Sequence, residues 1–368
     1  MRSYITLALV VLFIIPTIAF SIDLREIGDG ITLTPDSHVA GMTSGQLVVT
    51  DKHAITFFNR RLGEQKTIPI GSKQRAIVAP DGRSYALITS SASDILLPES
   101  NTVEVFDSRG RLQWSLNAVP DGEMRLAPGG SCLLVMTGTP GSWDWRMLVC
   151  QADSLASLVF IEAFKGVVFA PDARRFLVDC NPKGLRLFAS SGEEIANYGL
   201  QHDFCFTDSS DRAVMCYQGE LQVWRDSTRV YQTRLQETVI NTLVASDTAN
   251  RIVVASNTNM EVLDLATGAH LWNYRVPTAQ MSFVSLDISD DGKFIACGIS
   301  YNRGPSVEKT ERYQEDYLYL FDIDRNIMRK KEFSLEHWQA GHPQVAFWID
   351  RRSILVRNLD KIHVVEMH

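Results

Sequence analysis

The chain has 368 residues, 45% hydrophobic and 21% charged, the balance of an ordinary globular protein. Its formal net charge of −7 argues against a general nucleic-acid binder, because affinity for phosphate needs a basic field. Six cysteines occur without a C-x-x-C pair, which argues against a structural zinc site or a thioredoxin-like motif.

Residues 1–21 read as a signal peptide. Arg2 precedes an apolar run from Ile5 to Phe20, and Ala19-Phe20-Ser21 is a small-x-small cleavage pattern. Pro16 breaks the helix just before that site. The apolar core is short for a membrane span of ~20 residues, so cleavage and export to the periplasm or medium are expected. A retained N-terminal anchor is the minor alternative. The mature chain, residues 22–368, reads as a single domain.

Downstream, one stretch recurs. Ala79-Pro80-Asp81-Gly82-Arg83 leads into an apolar run, and so do Ala127-Pro128-Gly129-Gly130 and Ala170-Pro171-Asp172-Ala173. Thr207-Asp208-Ser209-Ser210, Ser246-Asp247-Thr248-Ala249 and Ser289-Asp290-Asp291-Gly292 continue the series, with degenerate copies near 39–45 and 346–351. Each is a hairpin tip: Pro presets φ, Asp caps the turn, and Gly takes φ > 0 without strain. Where Ala173 or Ser210 replaces the glycine, a somewhat different or less favourable turn is expected. After each tip come two alternating apolar/polar segments, such as 102–106 with 112–116 and 260–264 with 270–274.

One unit is therefore four antiparallel strands in about 40 residues, the period of an all-β propeller blade. Eight units are counted. The last, 345–366, offers three strands, and 22–33 can supply the fourth and close the ring; if 22–33 is only a leader, the count is seven.

The Pro-Asp-Gly-Arg tips resemble the WD40-like and YVTN-type repeats of bacterial propellers, although the Gly-His and Trp-Asp signatures of true WD40 repeats are missing. Asp264, Thr267, Gly268 and Trp272 also resemble the tryptophan-docking motif of quinoprotein-like propellers, and Asp107 to Trp114 is a shorter version. The resemblance implies that Trp114 and Trp272 pack between blades. It does not imply the quinone, so no cofactor is expected. Asp81 and Gly82 are read as structural in the same way.

No G-x-S-x-G elbow occurs. Asp287, Asp290 and Asp291 cluster at a tip, where Asp serves the turn, and His337 and His342 lie in a connection. Neither set is expected to bind metal. Cys132 and Cys150, at near-mirror positions about a turn, are one candidate disulfide. Three connections between second and third strands are long: 90–101; 137–145, with Trp143, Asp144 and Trp145; and 300–316, with Tyr301, Arg303 and Tyr313. Trp, Tyr and Arg are the residue types enriched at binding hot spots. These observations lead to a non-catalytic binding scaffold whose partner is a protein or peptide, with a glycan as the alternative. The competing expectation is an enzyme, a lactonase-like hydrolase or lyase, working in the axial channel.

Overall fold

The computed structural model describes residues 24–367 apart from 35–36, 44–45, 60, 91–99, 139–144, 153, 162–163, 181–183, 202, 304–312, 334–343, 349–352 and 359–360. The signal-peptide reading, Trp143, Asp144, His337 and His342 thus lie outside the described residues.

The described strands form eight four-stranded antiparallel sheets. Blades 1 to 7 span 38–69, 74–120, 123–160, 166–197, 203–234, 242–275 and 281–333, each built from four consecutive strands. Blade 8 takes Gln344–Trp348, Ser353–Asn358 and Lys361–Met367 from the C-terminal end and Leu24–Thr32 as its outer strand. The ring is an eight-bladed β-propeller closed by the N-terminal strand, as the three-strand remainder of the last repeat predicts.

A blade has two apolar faces and cannot bury both alone, so the core is distributed between blades. Eight buried clusters occupy the eight blade-to-blade interfaces. The closing interface packs Leu47 and Val49 of blade 1 against Leu355, Ile362 and Val364 of blade 8. Each such side chain contributes about 1.5–3 kcal/mol on full burial.

The tips are one turn repeated. Gly82 N–H donates to Ala79 O at 2.8 Å, and Ala79 N–H to Ser84 O at 2.9 Å. The equivalent bonds recur at Ala173 to Ala170 and Ser210 to Thr207, both 2.9 Å. Gly82 has φ 65°, and Ala173 and Ser210 hold 59° and 64°. Of the two expectations, a different or a less favourable turn, the second holds: the geometry is kept, and the non-glycine residues bear left-handed strain.

The outer strands share a second device. In blades 1 to 6 one extra residue slips into the ladder between third and fourth strands: Gln65, Gln113, Ala156, Ile195, Val230 and Leu271 in turn. Blade 8 slips between Ile27 and Ile31. A bulge twists an exposed edge away from further pairing and re-aims the residue beside it.

The Cys132–Cys150 disulfide is corrected. Both thiols are free. Cys150 lies opposite Leu133, and Cys132 opposite Gln151. Side chains alternate along a strand, so the two cysteines point to opposite faces of blade 3. Cys150 packs toward blade 2 and Cys132 toward blade 4.

Candidate functional site

At the tip face, successive blades are latched to each other. Asp81 caps its own turn, taking the Arg83 N–H at 3.1 Å on Oδ1, and reaches the next tip with Oδ2, which accepts from Gly129 N–H at 2.9 Å. Asp172 N–H donates to Ser210 Oγ at 2.9 Å in the next blade. Asp208 accepts from Ser246 Oγ at 2.8 Å and from Asp247 N–H at 2.6 Å. Burial works against the Asp208 charge, but the hydrogen bonds from Ser246, Thr248 and Asp247 outweigh it and hold the carboxyl below its ordinary value.

The first strands of blades 5 to 8 end around a cavity of about 290 Å³. Phe206, Ile288 and Phe347 form its buried apolar wall, and Asp208, Asp287 and Asp290 supply carboxylates. Asp287 Oδ2 accepts from Phe347 N–H at 2.6 Å across the blade 7–8 interface, and Oδ1 from Ile288 N–H at 2.9 Å. Two residues earlier, Ser285 Oγ accepts from Val345 N–H at 3.2 Å. Two side chains of blade 7 thus satisfy main-chain donors on the inner strand of blade 8, which faces the axis. Burial, with the Asp290 charge behind it, pushes the Asp287 carboxyl up to about 6 against those two donors. Burial also pushes the Cys205 thiol in the cavity wall up to about 12, so it is no thiolate nucleophile near neutral pH. Among the described residues no histidine or arginine lines this cavity.

The opposite face carries the connections between second and third strands, including the three long ones, because these emerge from the other end of each sheet. Trp145 is half-buried rather than displayed: its ring centre lies 5.7 Å from that of Phe164, and its indole covers Gly138, where a Cβ would come within 2.6 Å. It belongs with the blade 3–4 core. At both ends of the connection expected over 300–316 the described residues, 300–303 and 313–316, are strand. Phe294–Arg303 and Tyr313–Asp322 pair without a break from Phe294↔Asp322 to Arg303↔Tyr313. Tyr301 packs partly against the blade 6–7 core, while Arg303 and Tyr313 stand opposite each other at the hairpin end. These strands have 10 residues each, against five to eight in the second and third strands of the other blades. The extra length lifts the blade-7 hairpin by roughly 10 Å at about 3.3 Å per residue.

Trp114 and Trp272 both sit at blade interfaces. Trp114 Nε1 donates to Gly130 O of blade 3 at 2.8 Å, and Trp272 Nε1 to Asn326 Oδ1 of blade 7 at 3.1 Å. The corresponding stretches of two other units end in tyrosine instead of Trp and were read as lacking the motif, yet both tyrosines dock in the same way. Tyr198 Oη donates to Asp226 O at 2.6 Å, and Tyr231 Oη to Leu265 O at 2.9 Å, each in the next blade. The bulged Gln113, Val230 and Leu271 immediately precede Trp114, Tyr231 and Trp272, so the bulge turns the docking ring toward its neighbour.

Among solved structures, the C-terminal WD40 domain of Sif2 superposes with a TM-score of 0.57 over 94% of this chain and 98% of its own, at 13% identity. The fold is a WD40-type β-propeller. A eukaryotic initiation factor superposes with a TM-score of 0.53 over 83% of this chain and 90% of its own, at 11% identity. Likeness at these identities is likeness of fold. No family model matches the sequence, and no curated protein does.

Proposed function

We propose that this chain is an exported, non-catalytic scaffold that binds a protein or peptide through the face carrying the long connections. The observation that supports this most directly is the blade-7 hairpin, which extends the regular ring on that face and ends in Arg303 opposite Tyr313. Loops on a rigid ring are the usual place for recognition, since the scaffold tolerates their variation. Export rests on the character of residues 1–21. A photo-crosslinking residue at Trp143 or Tyr313 is expected to capture a partner protein, while one at exposed Arg83 on the tip face is not. Capture from the tip face alone would overturn the assignment. N-terminal sequencing of the exported protein is expected to begin at Ile22.

The enzyme reading rests on one observation, the half-buried Asp287 carboxyl in the axial cavity. It is carried less far, because both carboxylate oxygens already accept main-chain hydrogen bonds.

A further inference from the structure

Blade 7 departs from its neighbours at the outer rim. The other seven outer strands carry a slip in their ladder, but Ile327–Phe333 pairs residue for residue from Asp322↔Ile327 to Asp316↔Phe333. Among the described residues no strand pairs with its other side. A regular, unpaired edge is a template for one more strand, and bulges are a way proteins spoil such templates. Here the bulge is missing, and cationic side chains guard the edge instead.

The side chains on this edge define what could pair with it. Arg329, Lys330 and Lys331 lie in succession on a chain whose net charge is −7. Lys330 and Met328 are exposed; the Lys330 ammonium lies 3.7 Å from the Tyr317 ring centre. Lys331 Nζ reaches Glu26 on the closing strand of blade 8 at 3.5 Å. Two copies of the edge laid antiparallel about Lys330 would set cation against cation, and like charges directly opposite destabilise a pair. The run that opposes self-pairing favours an extended strand bearing carboxylates.

We infer that the outer strand of blade 7 is a strand-addition site for an extended acidic segment of a partner protein. The site is on the rim, not the loop face, and its test is independent of that of the loop-face reading. Main-chain hydrogen bonds would supply the pairing and exposed Lys330 the charge selection.

The probe is an alternating Glu-Val octapeptide, with an alternating Lys-Val octapeptide and a Glu-Val octapeptide N-methylated at alternate amides as controls. Binding to the full chain is read by fluorescence anisotropy, and its location by hydrogen exchange. The acidic peptide is expected to bind at least ten-fold tighter than either control and to slow exchange within 327–333. Lys330→Glu is expected to weaken the acidic peptide about ten-fold while strengthening the Lys-Val peptide. A single residue inserted between Met328 and Arg329, recreating the bulge of the other blades, is expected to abolish binding. Overturning results are no binding to the wild-type chain, equal binding of the N-methylated peptide, protection only outside 327–333, or a dimer of the chain joined through this strand. If the insertion unfolds blade 7, the Lys330→Glu exchange of preference decides the matter alone.

Discussion

Ala173 and Ser210 hold the turn position that Gly82 and Gly292 occupy elsewhere, at φ 59° and 64° against 65° and 69°. A left-handed backbone costs a residue with a Cβ of order 1 kcal/mol or more, and glycine avoids that at some cost in unfolded-state entropy. Ala173→Gly is therefore expected to stabilise the fold by about 0.5–1 kcal/mol in urea denaturation. Ser210→Gly is expected to gain less, because Ser210 Oγ accepts the Asp172 N–H across the blade interface. Equal gains would mean that this inter-blade hydrogen bond contributes nothing. Asp287 makes a second prediction at this scale. Its folded-state value, about 6, lies above the ordinary 3.8, so the native state holds the proton more tightly than the unfolded chain between those values. Stability from this group is present below the lower value and is lost as pH rises through 6. Asp287→Asn keeps an acceptor for Phe347 and is expected to flatten stability against pH between 4 and 6. An unchanged profile would remove the charge of Asp287 from the account.

At the scale of the element, the outer strand of each blade joins it to the next. Tyr198→Phe keeps the ring and removes only the donor to Asp226 O, an expected cost of about 0.5–1.5 kcal/mol. Trp114→Phe loses both the donor to Gly130 and part of a well-packed ring, and the larger loss is expected there by thermal melting. The docking position was readable at Trp114 and Trp272 because each follows a turn Asp and stands at the same spacing after a turn glycine, Gly110 and Gly268. At Tyr198 and Tyr231 the corresponding positions were readable but the docking role was not, because neither stretch ends in the Trp that marks the motif. Only the ladder register shows the bulge that turns Tyr231 toward Leu265. The strand lengthening in blade 7 was also missed. Tyr313-Gln314-Glu315-Asp316 is polar enough to read as a connection, yet it pairs in register with 300–303.

At the scale of the molecule, stability depends on closure. Leu24–Thr32 is the outer strand of blade 8, and blade 8 packs against blade 1. A chain beginning at Leu33 leaves blade 8 with three strands and an unpaired edge on Lys361–Met367. It is expected to melt at markedly lower temperature and to aggregate, as followed by calorimetry and light scattering. A melting temperature matching that of the full ring would show that the N-terminal strand is dispensable. Free cysteines spread over the blades predict that reductant leaves the melting temperature unchanged. Burial of Cys132, Cys150, Cys180, Cys216 and Cys297 predicts slow reaction of these thiols with thiol reagents until the ring unfolds.

The repeat alone determined the architecture. Turn chemistry and period-2 alternation are local, so four strands per unit and a ring of eight or seven units could be read without knowing any contact; the pairing of Leu24–Thr32 with Lys361–Met367 made the count eight. The tertiary structure decided everything that depends on two blades meeting. It turned Asp81 from a cap of its own turn into a latch on the next, and set Cys132 and Cys150 back to back. It folded Trp145 into a blade interface and brought Asp287 against a main-chain donor 60 residues away. The physical reason is that a strand's sequence specifies which side chains share a face. Which neighbour that face, or that edge, will meet is settled only when the ring closes.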